Sequence, residues 1–475
     1  MQLLKDKKVC CALFCTLFLI YYLFSPVNHY LAEAIREGFW FRFSVPFLLG
    51  VILCMQIRKG KAFWVLLGFW GWVLITRVLN GDPALTGNLS ALIELCLMML
   101  LFAPGFLLEE QMRWRFFLAA AWLIVLFYFI LGALTVYSAA ADQFLMNPID
   151  EYGIGYVSPY YQGRIEILSM QPNIAAGEFL FSFCFLIILF FRYRSLPLRL
   201  FLAIGGFVDA VVISLTISRN GQTFFCVALG LAAGLLLYQR LNTRRLSLRL
   251  IAFFLAVLVI VLITYQVFEP LRYGVWLLRK ETASVAQEQV VNTPVPKTLS
   301  AQPSESLQST ESQESSQTET GEYRPDSRSY LKSGRKQIFW SAIKSLEMEP
   351  VRLLIGCSYE HKMDISHELI REWAHHFHNM FLEIINLFGI PGLFLVFWFY
   401  WLLLKAIWRV VFLNGVFDRA KQLLFIPVVV ITGYYMLEAG LFTAMDLRSA
   451  EFFFISGMLM GIDTECRPET ADRNS

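Results

Sequence analysis

Charge is what this chain of 475 residues has least of. Lysine, arginine, aspartate and glutamate make up 16% of it, where ordinary soluble domains carry about 25%. The 57% of hydrophobic residues cannot all enter one soluble core, because such cores stop growing near about 250–300 residues. The excess calls for lipid. A formal net charge of +3 offers no basic surface for a nucleic-acid partner. Nine cysteines stand at positions 10, 11, 15, 54, 96, 184, 226, 357 and 466, seven of them inside apolar runs and none in a CxxC pair. Neither a disulfide framework nor a zinc site is implied. No Asp-x-Asp motif offers a metal-binding carboxylate pair. The first apolar run follows Lys5, Lys7 and Lys8 without a small-residue cleavage site, so it is expected to be a retained helix and not a leader.

What is present is a series of long apolar stretches. About 20 residues of helix cross a hydrocarbon core, and about twelve stretches meet that length: 9–26, 39–57, 62–79, 88–108, 115–138, 171–191, 199–217, 221–239, 248–268, 379–404, 422–442 and 449–463. The last is the weakest, being short and containing Glu451. The expected fold is an all-α integral membrane protein. Short loops rich in lysine and arginine set its orientation. "RKGK" (58–61), "RWR" (113–115), "RYRSLPLR" (192–199), "QRLNTRRLSLR" (239–249) and "DRAK" (418–421) all fall on one side. Both termini are therefore expected in the cytoplasm. Residues 1–268 would carry nine helices, 269–378 an extracytoplasmic region, 379–463 three more helices, and 464–475 a tail.

The outer region is composite. Residues 281–322 hold seven glutamates against one lysine, among Ser, Thr, Gln and Pro. That composition has almost nothing to bury and is expected to form a disordered arm over 281–325. Order should resume near 333–349, where Phe339, Ile343 and Leu346 recur at helical spacing before Pro350. Arg335 precedes Phe339 by four residues and shares that predicted apolar face. An amphipathic helix on the membrane surface would aim it inward, unless it only snorkels at a helix end.

Other polar groups crowd the same outer side. "ISLTISRNGQ" (213–222) places Arg219, Asn220 and Gln222 at a tight turn between two apolar helices. Positive-inside statistics disfavour arginine there, and charge at membrane depth is costly without a partner. Anion binding is the sharper reading, since a guanidinium can donate two parallel hydrogen bonds to phosphate; an interfacial anchor is the bland one. "SMQPNIAAGEFL" (169–180) brings Gln171, Asn173 and Glu178 to another outer helix start, with Pro172 tolerated at its first position. Glu178 has three open readings: a pair with Arg219, a pair with Arg164, or a buried structural carboxylate. Glu94 is equally ambiguous. Arg77, Arg164 and Arg272 also lie outside and can supply further contacts to diphosphate or acidic sugars. His361 and His367 read as solvated surface. Of six histidines, three crowd into "HHFH" (375–378) before an apolar run. His375, His376 and His378 cannot share one helical face, so a metal site lacks its usual i,i+4 pair. His378 differs because it opens the run itself. A neutral imidazole there suits proton abstraction from a hydroxyl.

These residues resemble a known family. "HNMFLEIINLFGIPG" is similar to the motif of the bacterial O-antigen ligase and polymerase superfamily, in which His-Asn opens a late membrane helix and Gly-x-x-Gly follows. Here those positions are His378, Asn379, Gly389 and Gly392. "GRKQIFW…EP…LIGCS" resembles the family's Arg-x-x-x-x-Trp helix and glycine turn, giving Arg335, Trp340 and Gly356. "SRNGQ" resembles its Ser-Arg junction and "QPNIAAG" its outer asparagine segment. The resemblance implies a metal-independent inverting glycosyltransferase that takes an oligosaccharide from undecaprenyl diphosphate. It implies His378 as general base, with Arg219 and Arg335 gripping the diphosphate and Asn173, Asn379, Arg164 and Glu178 near the substrate. No cofactor is expected. The implied site is multi-pass in the cytoplasmic (inner) membrane of a bacterium and faces outward. The implied partners are the lipid-linked donor, a glycan or lipid-linked acceptor, the bilayer and a chain-length regulator. The long Ser/Gln/Glu-rich insert departs from the family where acceptors would approach. Polymerase (O-antigen, capsule or exopolysaccharide) and ligase (lipopolysaccharide or another acceptor) stay open. A lipid-linked oligosaccharide flippase is the alternative of a different class, although no internal repeat of the transporter kind is visible.

Overall fold

The computed structural model describes residues 60–81, 101–141, 145–146, 153–157, 165–167, 170–241, 245–278, 335–348, 350–357, 377–413, 419–438, 440–442 and 447–465. The expected spans 9–26 and 39–57, most of 88–108, the arm, Glu94, Arg164, His361, His367, His375 and His376 lie outside these residues.

Among the described residues the helices are α1 (Lys61–Leu79), α2 (Glu110–Ala141), α3 (Pro172–Arg192), α4 (Leu196–Leu215), α5 (Arg219–Arg240), α6 (Leu246–Tyr265), α7 (Arg335–Met348), α8 (Val351–Ile355), α9 (Met380–Ile407), α10 (Phe425–Tyr435) and α11 (Leu447–Glu465). Seven helices among the described residues are long and apolar enough to cross a membrane. They include α6, which continues after a turn to Leu278, and α9, which continues through a π segment to Leu413. The all-α membrane architecture expected from composition is the one observed. One addition is a small antiparallel sheet between α2 and α3, formed by β1 (Leu145–Met146), β2 (Gly153–Val157) and β3 (Ile165–Ile167) in that order. It lies within 139–170, the loop expected from the sequence to face outward.

Helix starts follow local chemistry. Pro172 opens α3, where its missing N–H is no loss. Ser218 caps α5 by accepting from the Gly221 N–H at 3.3 Å. Asn379 caps α9, its Oδ1 accepting from the N–H groups of Phe381 and Leu382 at 3.0 Å each. These caps satisfy donors that lipid would leave orphaned.

The predicted run 422–442 does not form one helix: α10 ends at Tyr435, and Met436–Glu438 form a turn. The face of α7 also differs from the sequence expectation. Ile338, Ala342, Ser345 and Leu346 are buried, whereas Ile343 and Trp340 are exposed and Phe339 is half-buried. The reason is close packing. Ser345 meets α9, its Oγ donating to Asn386 Oδ1 at 3.0 Å, and the buried stripe runs through Ile338, Ala342, Ser345 and Leu346, so that of the expected apolar set only Leu346 lies in it.

α9 has a joint at Gly389 (φ 65°), with Pro391 just beyond. The turn after α8 docks at this joint. Gly356 has φ 73°, and a Cβ on it would fall 2.1 Å from the Leu387 carbonyl oxygen. A Cβ on Gly389 would meet the Leu354 carbonyl at 2.7 Å. Cys357 N–H donates to the Asn386 carbonyl at 2.9 Å, and Trp72 Nε1–H to the Phe388 carbonyl at 2.6 Å. Glycine is thus required at both positions by backbone conformation and by contact.

Candidate active site

Two polar ends can be told apart. At one, Lys421 pairs with Glu110, Arg409 pairs bidentately with Asp463 at 2.6 Å, and Tyr238 donates to the Phe412 carbonyl at 3.0 Å. Glu110, which opens the helix that carries "RWR", thus meets Lys421 of "DRAK". At the other end lie the starts of α3, α5 and α9, and there Asn173, Asn220, His378 and Asn379 gather.

Their common point is a residue the sequence reading passed over. Glu438, 7% exposed, follows α10. Its Oε2 lies 3.2 Å from His378 Nδ1. Its Oε1 accepts from Asn173 Nδ2 at 3.2 Å and from Asn220 Nδ2 at 3.4 Å. Asn379 Nδ2 donates to the Met436 carbonyl at 2.8 Å, and Asn220 Nδ2 also reaches the Leu437 carbonyl at 3.4 Å. Three asparagines at three helix starts therefore all bind the turn Met436–Glu438. Asn173 is further fixed through its carbonyl, which accepts from Tyr434 OH.

The backbone is strained where these segments meet. Among the described residues only Ile217 (φ 52°) and His378 (φ 49°) are non-glycine residues at positive φ. A left-handed backbone is unusual for a histidine and an outlier for a β-branched isoleucine. Ile217 stands two residues before Arg219, at the junction whose Asn220 reaches Glu438. Such strain persists only where surrounding contacts over-determine it, and it clusters at functional sites. His378 has those contacts. Phe377 is fully buried and its N–H donates to Glu383 Oε2 at 3.0 Å, while Asn379 is locked as the α9 cap.

Arg219 is the first residue of α5 and half-buried. Its neighbour Asn220 links it through Glu438 to His378. Arg335 is the first residue of α7. Arg272 is buried against Glu269. Glu178 is not at this junction's surface. It is 3% exposed, accepts from Tyr128 OH at 3.1 Å, and faces Arg448 Nε at 3.5 Å. Arg448 also lies 5.1 Å over the Tyr435 ring. This partner from α11 was not among the sequence alternatives. The signal for Glu438 was a lone acid in an otherwise apolar run, which at membrane depth is by default functional.

Residues 201–397 match the family model described as O-antigen ligase. The matched stretch is similar to that family, which the chain's motifs also resemble. It contains Arg219, Arg335, His378, Asn379, Gly389 and Gly392, and excludes Asn173, Glu178 and Glu438. No curated protein matches the chain significantly.

Proposed function

We propose that the protein transfers an oligosaccharide from undecaprenyl diphosphate to a hydroxyl acceptor at the outer face of the cytoplasmic membrane. The observation that carries this reading is His378. Its ring is tied to a buried carboxylate, its backbone is held left-handed, and it stands one hydrogen-bonded link from the helix start bearing Arg219.

The acceptor hydroxyl oxygen attacks the anomeric carbon and its proton passes to His378. The anomeric carbon–oxygen bond to the diphosphate breaks, and its electron pair leaves on the diphosphate oxygen. Attack opposite the leaving group inverts the anomeric centre. Arg219 and Arg335 neutralise the charge growing on the departing oxygen, an electrostatic contribution of the kind that usually dominates catalysis. The proton then leaves His378 to water. The donor is already activated, so the sequence needs no nucleotide sugar. Neither Asn173 nor Asn379 is assigned a contact with substrate, since their amides are engaged with Glu438 and Met436.

The test is reconstitution with a labelled undecaprenyl-diphosphate oligosaccharide and an acceptor. Wild type should release undecaprenyl diphosphate and transfer the glycan. Arg219→Ala, Arg335→Ala and His378→Ala should each lose about 10²-fold or more in rate while remaining folded. A product ladder would identify a polymerase, and a single addition a ligase. Movement of intact lipid-linked sugar across vesicles would overturn the reading.

A further inference from the structure

The family match ends at residue 397 and leaves Glu438 without a role. We propose that Glu438 is the positioning residue of His378, holding the imidazole with its proton on Nδ1 so that Nε2 presents a lone pair to the acceptor hydroxyl. This inference rests on the transferase reading above and adds a residue to it.

The argument begins with the donor inventory. A carboxylate can only accept hydrogen bonds. Glu438 Oε1 already takes two amide donors, Asn173 Nδ2 and Asn220 Nδ2, and Oε2 faces the ring at 3.2 Å. His378 Nδ1 must then be the donor. A neutral imidazole has one N–H, so Nε2 is left as the acceptor. That is the form a general base needs, and a second group that sets tautomer and orientation is a recurring device in nucleophile activation.

The rest of the site keeps Glu438 from moving away. Its turn is bound by asparagines from α3, α5 and α9, as described above, and all three come from helix starts that lipid and neighbouring helices hold in place. The histidine is fixed from its own side by Phe377 and Asn379. A purely structural carboxylate would need the two asparagine amides only. The His378 contact lies on the other oxygen, and the left-handed backbone at His378, φ 49°, sets the direction from which the ring reaches it.

The experiment compares Glu438→Gln, Glu438→Asp and His378→Ala in the reconstituted reaction, with ¹⁵N NMR of the histidine-labelled full chain. Glutamine keeps the shape and a carbonyl for the asparagine amides, but its NH₂ faces Nδ1 and favours the opposite tautomer. Glu438→Gln should lose about 10²–10⁴-fold in kcat, the span of a general-base contribution, with the donor KM changed less than about threefold. Its His378 resonances should move from the Nδ1–H to the Nε2–H pattern. Glu438→Asp, still a carboxylate, should recover part of the loss. A Glu438→Gln enzyme as fast as wild type, beside an inactive His378→Ala, overturns the positioning role and leaves the transferase reading intact. If His378→Ala itself transfers glycan, the transferase reading falls. If Glu438→Gln does not fold, the wild-type spectrum decides alone: a proton on Nε2 refutes the proposal.

Discussion

α3 and α6 are both apolar enough to span a membrane, and the more apolar of the two is the less buried. In α3, 83% of the most apolar window is buried inside the protein; in α6 the figure is 6%. Within Leu246–Tyr265 the one buried side chain is Phe253, set among Phe412 and Phe425. Backbone approach holds α6 in place: a Cβ on Gly234 would sit 2.9 Å from the Phe253 carbonyl oxygen, and one on Gly230 3.0 Å from that of Val257. In water this order of burial would be reversed. In lipid, tails solvate leucine as well as leucine does, so hydrophobicity alone draws no helix inward. What draws α3 inward is its polar content. Asn173 and Glu178 must be met by protein groups, and Glu438, Tyr128 and Arg448 meet them.

The comparison can be broken from either side. The largest stability effect should come from Glu178→Ala in α3, which leaves Arg448 buried beside an uncompensated site. Breaking a buried pair from one side costs about 3–5 kcal/mol, readable as a shift in detergent unfolding. A loss below about 1 kcal/mol would mean that this pair does not anchor α3. Next comes Leu255→Lys on the exposed face of α6, where Leu255 is 58% exposed. A lysine at the centre of a lipid-facing helix costs about 2.5–3.5 kcal/mol of insertion. A full-chain insertion assay showing no loss would place water, not lipid, against α6. Ser345→Ala, which removes the contact from α7 to Asn386, should cost about 1 kcal/mol; no change would show that packing of Ala342 and Leu346 alone holds α7. The smallest effect belongs to Leu255→Ala, within about 0.5 kcal/mol as for other surface positions. A loss of about 2 kcal/mol or more would reveal a protein partner covering that face.

The same contrast explains what could be read from the sequence. Runs of apolar residues mark helices wherever they meet lipid, so α1 to α6 and α9 were legible as spans. The basic loops 113–115 and 418–421 were expected on one side, and the Lys421–Glu110 pair joins their flanks. His378 and Arg219 stood out because a titratable residue at the edge of an apolar run is conspicuous. Glu438 did not, because the run around it was read as one helix through 442, and only the turn after Tyr435 brings its carboxylate to the histidine. The face of α7 was misjudged for a related reason. Periodicity picked Phe339, Ile343 and Leu346, whereas the buried stripe is turned to Ile338, Ala342, Ser345 and Leu346, with Ser345 meeting Asn386 of α9. Glu178 had a visible need for a partner, but nothing local to either residue pairs it with Arg448, which is 270 positions away in the chain.

The joint in α9 bears on how the enzyme tolerates its solvent. From Met380 to Leu413 the element has 34 residues, about 50 Å at 1.5 Å per residue, against a hydrocarbon core of about 30 Å. Gly389 divides that excess length. The segment after it can tilt as the bilayer thickens or thins. The segment before it is clamped by the turn after α8 and by α7. Membrane thickness is thereby uncoupled from the height of His378, so the proposed base would keep one geometry through bilayers of different composition.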